Sequence, residues 1–145
     1  DPARAESDLR KAIEIRGKKN DPLDDQLPIT LLRVAQMCDK TDRYEEAAKL
    51  LEESVEKYAV QNRNDVMVSF PLVMLGDIHC KMGHNQEAEK DYLRALKVLD
   101  AFERPNSPRF SLALKQLVMI YKKTGQDQLA EKYQQRLDSL APMGK

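Results

Sequence analysis

The sequence predicts an all-α protein built as an array of antiparallel helix pairs, about seven helices in a single domain spanning residues 1–145. Two observations predict it. The first is self-similarity at a fixed period, the mark of a repeat architecture. Ala5, Ala47, Ala88 and Ala130 are spaced by 42, 41 and 42 residues, and the turn before the last three recurs in step as Asp42-Arg43-Tyr44, Gly83-His84-Asn85 and Gly125-Gln126-Asp127. The second is apolar spacing. Leu31, Val34, Ala35 and Cys38 fall at i, i+3, i+4 and i+7, as do Leu72, Leu75, Gly76 and His79, and again Leu114, Leu117, Val118 and Tyr121. That spacing lines one face of a helix.

The elements follow in order. Residues 1–19 carry Ala5, Leu9, Ala12 and Ile13 on one face, with Gly17 and Asn20 favouring a stop. They match only the second helix of a unit, a half repeat, so the natural protein is expected to continue upstream. Residues 26–62 form the next unit, with a helix from Pro28 to Lys40 and another from Tyr44 to Gln61. Proline suits a helix start, where its missing N–H has no partner to lose. The broad stripe Ala47, Ala48, Leu50, Leu51, Val55 and Tyr58 suits a helix covered on two sides. Residues 66–103 form the middle unit, with Asn64 or Asp65 as a candidate N-cap. A helix from Val66 would hold Pro71 in its interior, whereas a start at Ser69 would put it in the tolerated first turn; the longer helix, with a local distortion, is the one expected. That helix ends at Met82, and its partner runs from Asn85 to Phe102. Residues 107–140 form the last unit, with Ser107 as N-cap, Pro108 at the first helical position and a helix to Thr124. The final helix, Asp127 to Leu140, shows one narrow apolar stripe and otherwise polar faces, as a capping helix should. Pro142 and Gly144 then end helical structure in the tail, 141–145.

Composition narrows the function. The chain has 24 Lys+Arg against 24 Asp+Glu, so its formal net charge is zero. General nucleic-acid binders carry a basic excess that replaces phosphate counterions, and it is missing here. Cys38 and Cys80 both sit inside helical apolar patterns, which favours reduced thiols over a bridge. There is no apolar run long enough for a membrane span and no signal-peptide pattern at the start. The expected compartment is intracellular, most simply the cytoplasm, or an organelle if an upstream targeting segment exists. No Gly-rich phosphate loop, nucleophile elbow or metal-binding His/Glu motif occurs, so no catalytic residue, metal or cofactor is expected. His79, Cys80 and His84 lack a fourth ligand at useful spacing, and His79 falls at an anchor position, where it reads as a core histidine. Asp24 and Asp25 read as a solvated turn.

The middle unit carries a resemblance. Leu72, Leu75, Gly76, Gly83, Ala88, Tyr92 and Ala95 match the spaced pattern of the tetratricopeptide repeat, and Tyr121, Gly125 and Ala130 match it more loosely. The usual unit is about 34 residues. The longer period here resembles the kinesin-light-chain type, with PRFSLALKQLVMIYKKTGQDQLAEKYQQRL the nearest stretch. The resemblance implies a right-handed superhelix whose first helices line a concave groove for peptides or partner helices, hence a scaffold or adaptor. Relatives that grip a ligand backbone with groove asparagines would carry them near Leu32-Arg33, Val73-Met74 and Lys115-Gln116, and none is present.

The groove side of the first helices is expected to present Arg33, Gln36 and Lys40; then Phe70, Val73, Met74, Asp77 and Lys81; then Leu112, Lys115, Gln116, Met119 and Lys123. Lys40, Lys81 and Lys123 form a row that would attract an acidic segment, although lysine also complements a helix C-terminus. Phe70, Val73, Met74, Leu112 and Met119 form an apolar strip fit for an amphipathic helix, or equally for packing within the array. The expected partner is therefore a protein or peptide, acidic or amphipathic, with no nucleic acid. Self-association, such as a homodimer through the open face near Ala5, Leu9 and Ile13, is the alternative.

Overall fold

A computed structural model describes residues 1–19, 21, 24–60, 66–102 and 107–140. Among them lie seven α-helices and one 3-10 turn, and no strand. The expected N-cap at Asn64 or Asp65, the last residue of the helix ending at Gln61, the stop at Asn20 and the tail from residue 141 lie outside the described residues. The chain divides into two compact units, Asp1–Asp65 and Val66–Lys145.

The first unit holds α1 (Pro2–Lys19), α2 (Gln26–Asp39) and α3 (Tyr44–Val60). Helix α2 starts two residues before Pro28, which falls in the first turn. Asp24 explains the earlier start, because its carboxylate accepts the Gln26 N–H at 3.0 Å. It also meets Arg16 of α1 at 2.7 Å, and this guanidinium holds the carboxyl below its usual range. Asp24 is thus a structural cap and not a solvated turn residue. The anchors Leu31, Val34, Ala35 and Cys38 are all fully buried. They meet α3, which buries Ala47, Leu51 and Tyr58. A buried leucine of this kind contributes about 1.5–3 kcal/mol. Ser54 of α3 stays satisfied in that interior by donating to the Pro28 carbonyl at 2.9 Å.

Helix α1 packs on α2. None of its residues is buried, and Ala5 is exposed where Ala47, Ala88 and Ala130 are not. Charge fastens the helix instead. The Glu6 carboxylate accepts from Arg43 at 2.7 Å and from Arg10 at 2.6 Å, and Arg10 reaches Glu46 at 2.7 Å.

The second unit holds a 3-10 turn (Val66–Val68), then α4 (Ser69–Lys81), α5 (Asn85–Ala101), α6 (Pro108–Lys123) and α7 (Asp127–Asp138). The longer α-helix expected from Val66 does not form: Val66–Val68 make this 3-10 turn ahead of α4 instead. The α-helix proper begins at Ser69, so Pro71 sits in its first turn, where no i→i−4 donor is required. Ser107 caps α6 as expected, accepting the Phe110 N–H at 3.2 Å. Consecutive helices pack as pairs, α4 on α5, α5 on α6 and α6 on α7. Tyr92, Tyr121, Phe110, Leu114 and Leu117 are the large side chains at the centre. Helix α7 buries only Ala130, in keeping with its narrow stripe.

The turns repeat in geometry as well as in sequence. Asp42, Gly83 and Gly125 have φ of 57°, 79° and 71°. The next N–H then bonds back across the helix end, Arg43 to Cys38 at 2.9 Å, His84 to His79 at 2.8 Å and Gln126 to Tyr121 at 2.8 Å. A left-handed residue closing a helix by such a bond is the Schellman arrangement.

Candidate partner-binding surface

The anchors of α4 and α6 face inward, which leaves their opposite side to solvent. On α4 that side carries Phe70, Met74, Asp77 and Lys81; on α6 the same repeat positions carry Leu112, Gln116, Met119 and Lys123. Positions at i, i+4, i+7 and i+11 share one helix face. Phe70 and Leu112 are each 37 % exposed and Met119 is 62 % exposed. Met74, Asp77 and Gln116 are half-buried, and Lys81, Lys115 and Lys123 are exposed. In the first unit, Arg33, Gln36 and Lys40 of α2 occupy the same repeat positions and are exposed.

One expectation needs correcting. Val73 is only 4 % exposed, so it belongs to the interior and not to the surface strip. Its repeat position is a boundary: Leu32 is half-buried there and Lys115 exposed.

Two features of the surface depend on residues far away in sequence. The Tyr92 ring of α5 lies against the backbone at Gly76, so closely that a Cβ there would stand 2.7 Å from a ring carbon. The missing side chain lets the hydroxyl pass through and donate to Asp77 at 2.5 Å. Burial first, and then this bond, push the Tyr92 hydroxyl well up, so it remains a donor at physiological pH. Asp77 is thereby a carboxylate held in place. The second feature is the Arg109 guanidinium, 3.4 Å from the Phe70 ring centroid. It covers one side of that ring by a cation–π contact. The juxtaposition of Gly76 with an aromatic in the paired helix was the sequence signal for the first feature, whereas nothing local foretold the second.

Cys80, half-buried, lies 3.8 Å from the Tyr92 hydroxyl, and burial pushes its thiol up. Burial raises the Cys38 thiol too. Both are free and protonated thiols, poor nucleophiles. His79 bonds Asp91 of α5 through Nδ1 at 2.8 Å, a link between paired helices, as expected of a core histidine. Among the described residues no cluster of three or more His, Cys, Asp or Glu side chains could hold a metal. None of the described helices is long and apolar enough to cross a membrane.

Stacked two-helix units with a glycine or aspartate closing each first helix define a class, the all-α repeat proteins. Within it, the tetratricopeptide-repeat family model matches residues 71–98 and 114–142. Among solved structures the chain is similar to BtubC (BKLC) from P. vanneervenii, with TM-score 0.83 and 22 % identity over 100 % of this chain and 59 % of that one. It is also similar to a Podosopora anserina protein described as a kinesin light chain with nearly identical TPR-like repeats. That match has TM-score 0.74 and 19 % identity over 95 % of this chain and 66 % of that one. A variant of the same protein gives TM-score 0.75. The chain therefore spans 59 % to 66 % of the length of these structures. No curated protein matches its sequence. Two segments of the chain thus match the tetratricopeptide-repeat model, and its long helix-pair units share the fold of kinesin-light-chain-type repeat structures.

Proposed function

We propose that this chain is a protein-interaction module, a scaffold or adaptor, that holds a partner peptide or helix on the outer face of its first helices. Tetratricopeptide repeats generally serve to bind other proteins, and the surface described above fits that use. The observation that carries the reading is the repeated exposed face of α4 and α6. Phe70, Leu112 and Met119 are exposed on helices whose anchor faces are buried. Exposed apolar side chains grouped in this way, with polar residues around them, mark interaction sites.

The test is affinity capture from cell extract with the wild-type chain and with Met119→Glu. Met119 is 62 % exposed, so the variant should fold normally by circular dichroism. Proteins retained by the wild type should be lost with the variant. Identical retention would exclude this face. The competing reading, self-association through α1, predicts a dimer in sedimentation that Ile15→Glu dissociates, since Ile15 is 57 % exposed.

A further inference from the structure

We infer that the element seated on the second unit is an amphipathic α-helix with acidic residues beside its apolar face, lying along α6 and reaching across to α4. The inference rests on the binding role proposed above and adds the chemistry of the partner.

Spacing is the first ground. Leu112 and Met119 lie seven residues apart on α6, two helical turns or about 10.5 Å. A helix returns its own apolar residues to one face at the same step. An extended segment returns a side chain to the same face every ~6.8 Å and would fall out of step. Phe70 widens the patch sideways, because it holds the repeat position of Leu112 and α4 packs beside α6. A strip two helices wide suits a helix lying in it.

Backbone chemistry is the second ground. An extended peptide brings N–H and C=O groups that need partners wherever water is excluded. The polar side chains among the apolar ones are Gln116 and Asp77, and the Asp77 carboxylate is already engaged by Tyr92. A helix satisfies its own backbone and asks only for apolar cover. The thioether of Met119 adapts its shape to such a neighbour.

Charge is the third ground. Lys115 and Lys123 share α6 with Leu112 and Met119 and are exposed. Basic side chains beside apolar ones select acidic residues at the partner's edge and repel basic ones.

A phage-displayed library of helical peptides, with randomised apolar and flanking positions, is selected on the intact chain. Enriched peptides should carry apolar residues at i, i+4 and i+7 with Asp or Glu beside them. Their binding, read by fluorescence anisotropy, should fall about tenfold or more in Met119→Glu and in Lys115→Glu/Lys123→Glu. Raising salt from about 50 to about 500 mM should weaken it as well. Enriched peptides rich in proline or in lysine, or lacking helical periodicity, would overturn the inference while leaving a binding role intact. Enriched peptides indifferent to Met119→Glu would overturn the site. If no peptide from this or an unstructured library is retained, the binding role fails and the inference with it.

Discussion

Gly83 and Gly125 show what single positions contribute. At φ of 79° and 71°, an L side chain would meet the following carbonyl, a cost of about 1–2 kcal/mol. A Cβ added to either glycine would meet nothing within 4 Å, so the whole effect of Gly83→Ala should come from the backbone. Urea unfolding should show that loss with an unchanged slope. A loss near zero would mean that the turn relaxes to another closure. Gly76 differs in kind, for there the obstacle is the Tyr92 ring at 2.7 Å. Gly76→Ala should cost about 1–3 kcal/mol by overpacking. The first repeat pairs Ala35 with Leu51 at the same two positions. Adding Tyr92→Leu should therefore recover part of the loss by making room for the methyl. If the double variant is less stable than the sum of the singles, Tyr92 supports Asp77 more than it crowds residue 76.

Among the elements, α1 and α6 are secured by different physics. Helix α6 starts on Ser107, and Ser107→Ala should cost about 1 kcal/mol by leaving the Phe110 N–H without its acceptor. Helix α1 relies on Glu6, whose carboxyl is held down at about 2 against an ordinary 4.5, first by Arg43 and then by Arg10. A depressed carboxyl stabilises the folded state fully above its unfolded pKa, and the contribution disappears as pH falls through the folded value. Docking of α1 should thus be intact at pH 5 and weaken from about 4.5 towards about 2. Amide exchange followed by NMR should show α1 loosening across that window. Glu6→Gln should loosen α1 at neutral pH and flatten the profile. A profile unchanged by Glu6→Gln would assign the docking to apolar contact alone. The sequence foretold the existence of every helix, because burial imposes a period that the residues must obey. It did not foretell these fastenings. Glu6 and Arg43 are 37 residues apart, and Tyr92 and Asp77 are 15 apart. Nothing periodic links such pairs, and only the packing of helices brings them together. Val73 was misplaced for a related reason. Its position is buried, half-buried or exposed according to the repeat, so periodicity cannot assign it.

At the scale of the molecule, each described helix packs chiefly on its neighbours in sequence, α1 on α2, α2 on α3, α4 on α5, α5 on α6 and α6 on α7. In such an array stability is close to a sum of local terms, and regions can open separately. The local terms here are unequal. In the second unit α6 buries Phe110, Leu114, Leu117, Ile120 and Tyr121, and Tyr121 also donates to Glu89 of α5 at 2.8 Å and stacks on Tyr133 of α7 with centroids 5.5 Å apart. In the first unit α1 buries nothing. Native-state hydrogen exchange should therefore be graded. The amides of Leu114, Leu117 and Ile120 should exchange slowest, near the global opening. Those of α1 should exchange fastest, through a local opening that leaves α2 and α3 protected. Uniform protection from α1 to α7 would show that the chain unfolds as one cooperative body and that its local terms are strongly coupled. A graded result has a functional consequence. The face bearing Phe70, Leu112 and Met119 would then sit on the most rigid part of the molecule, where a partner meets a surface already in its bound form and little ordering entropy is lost on association.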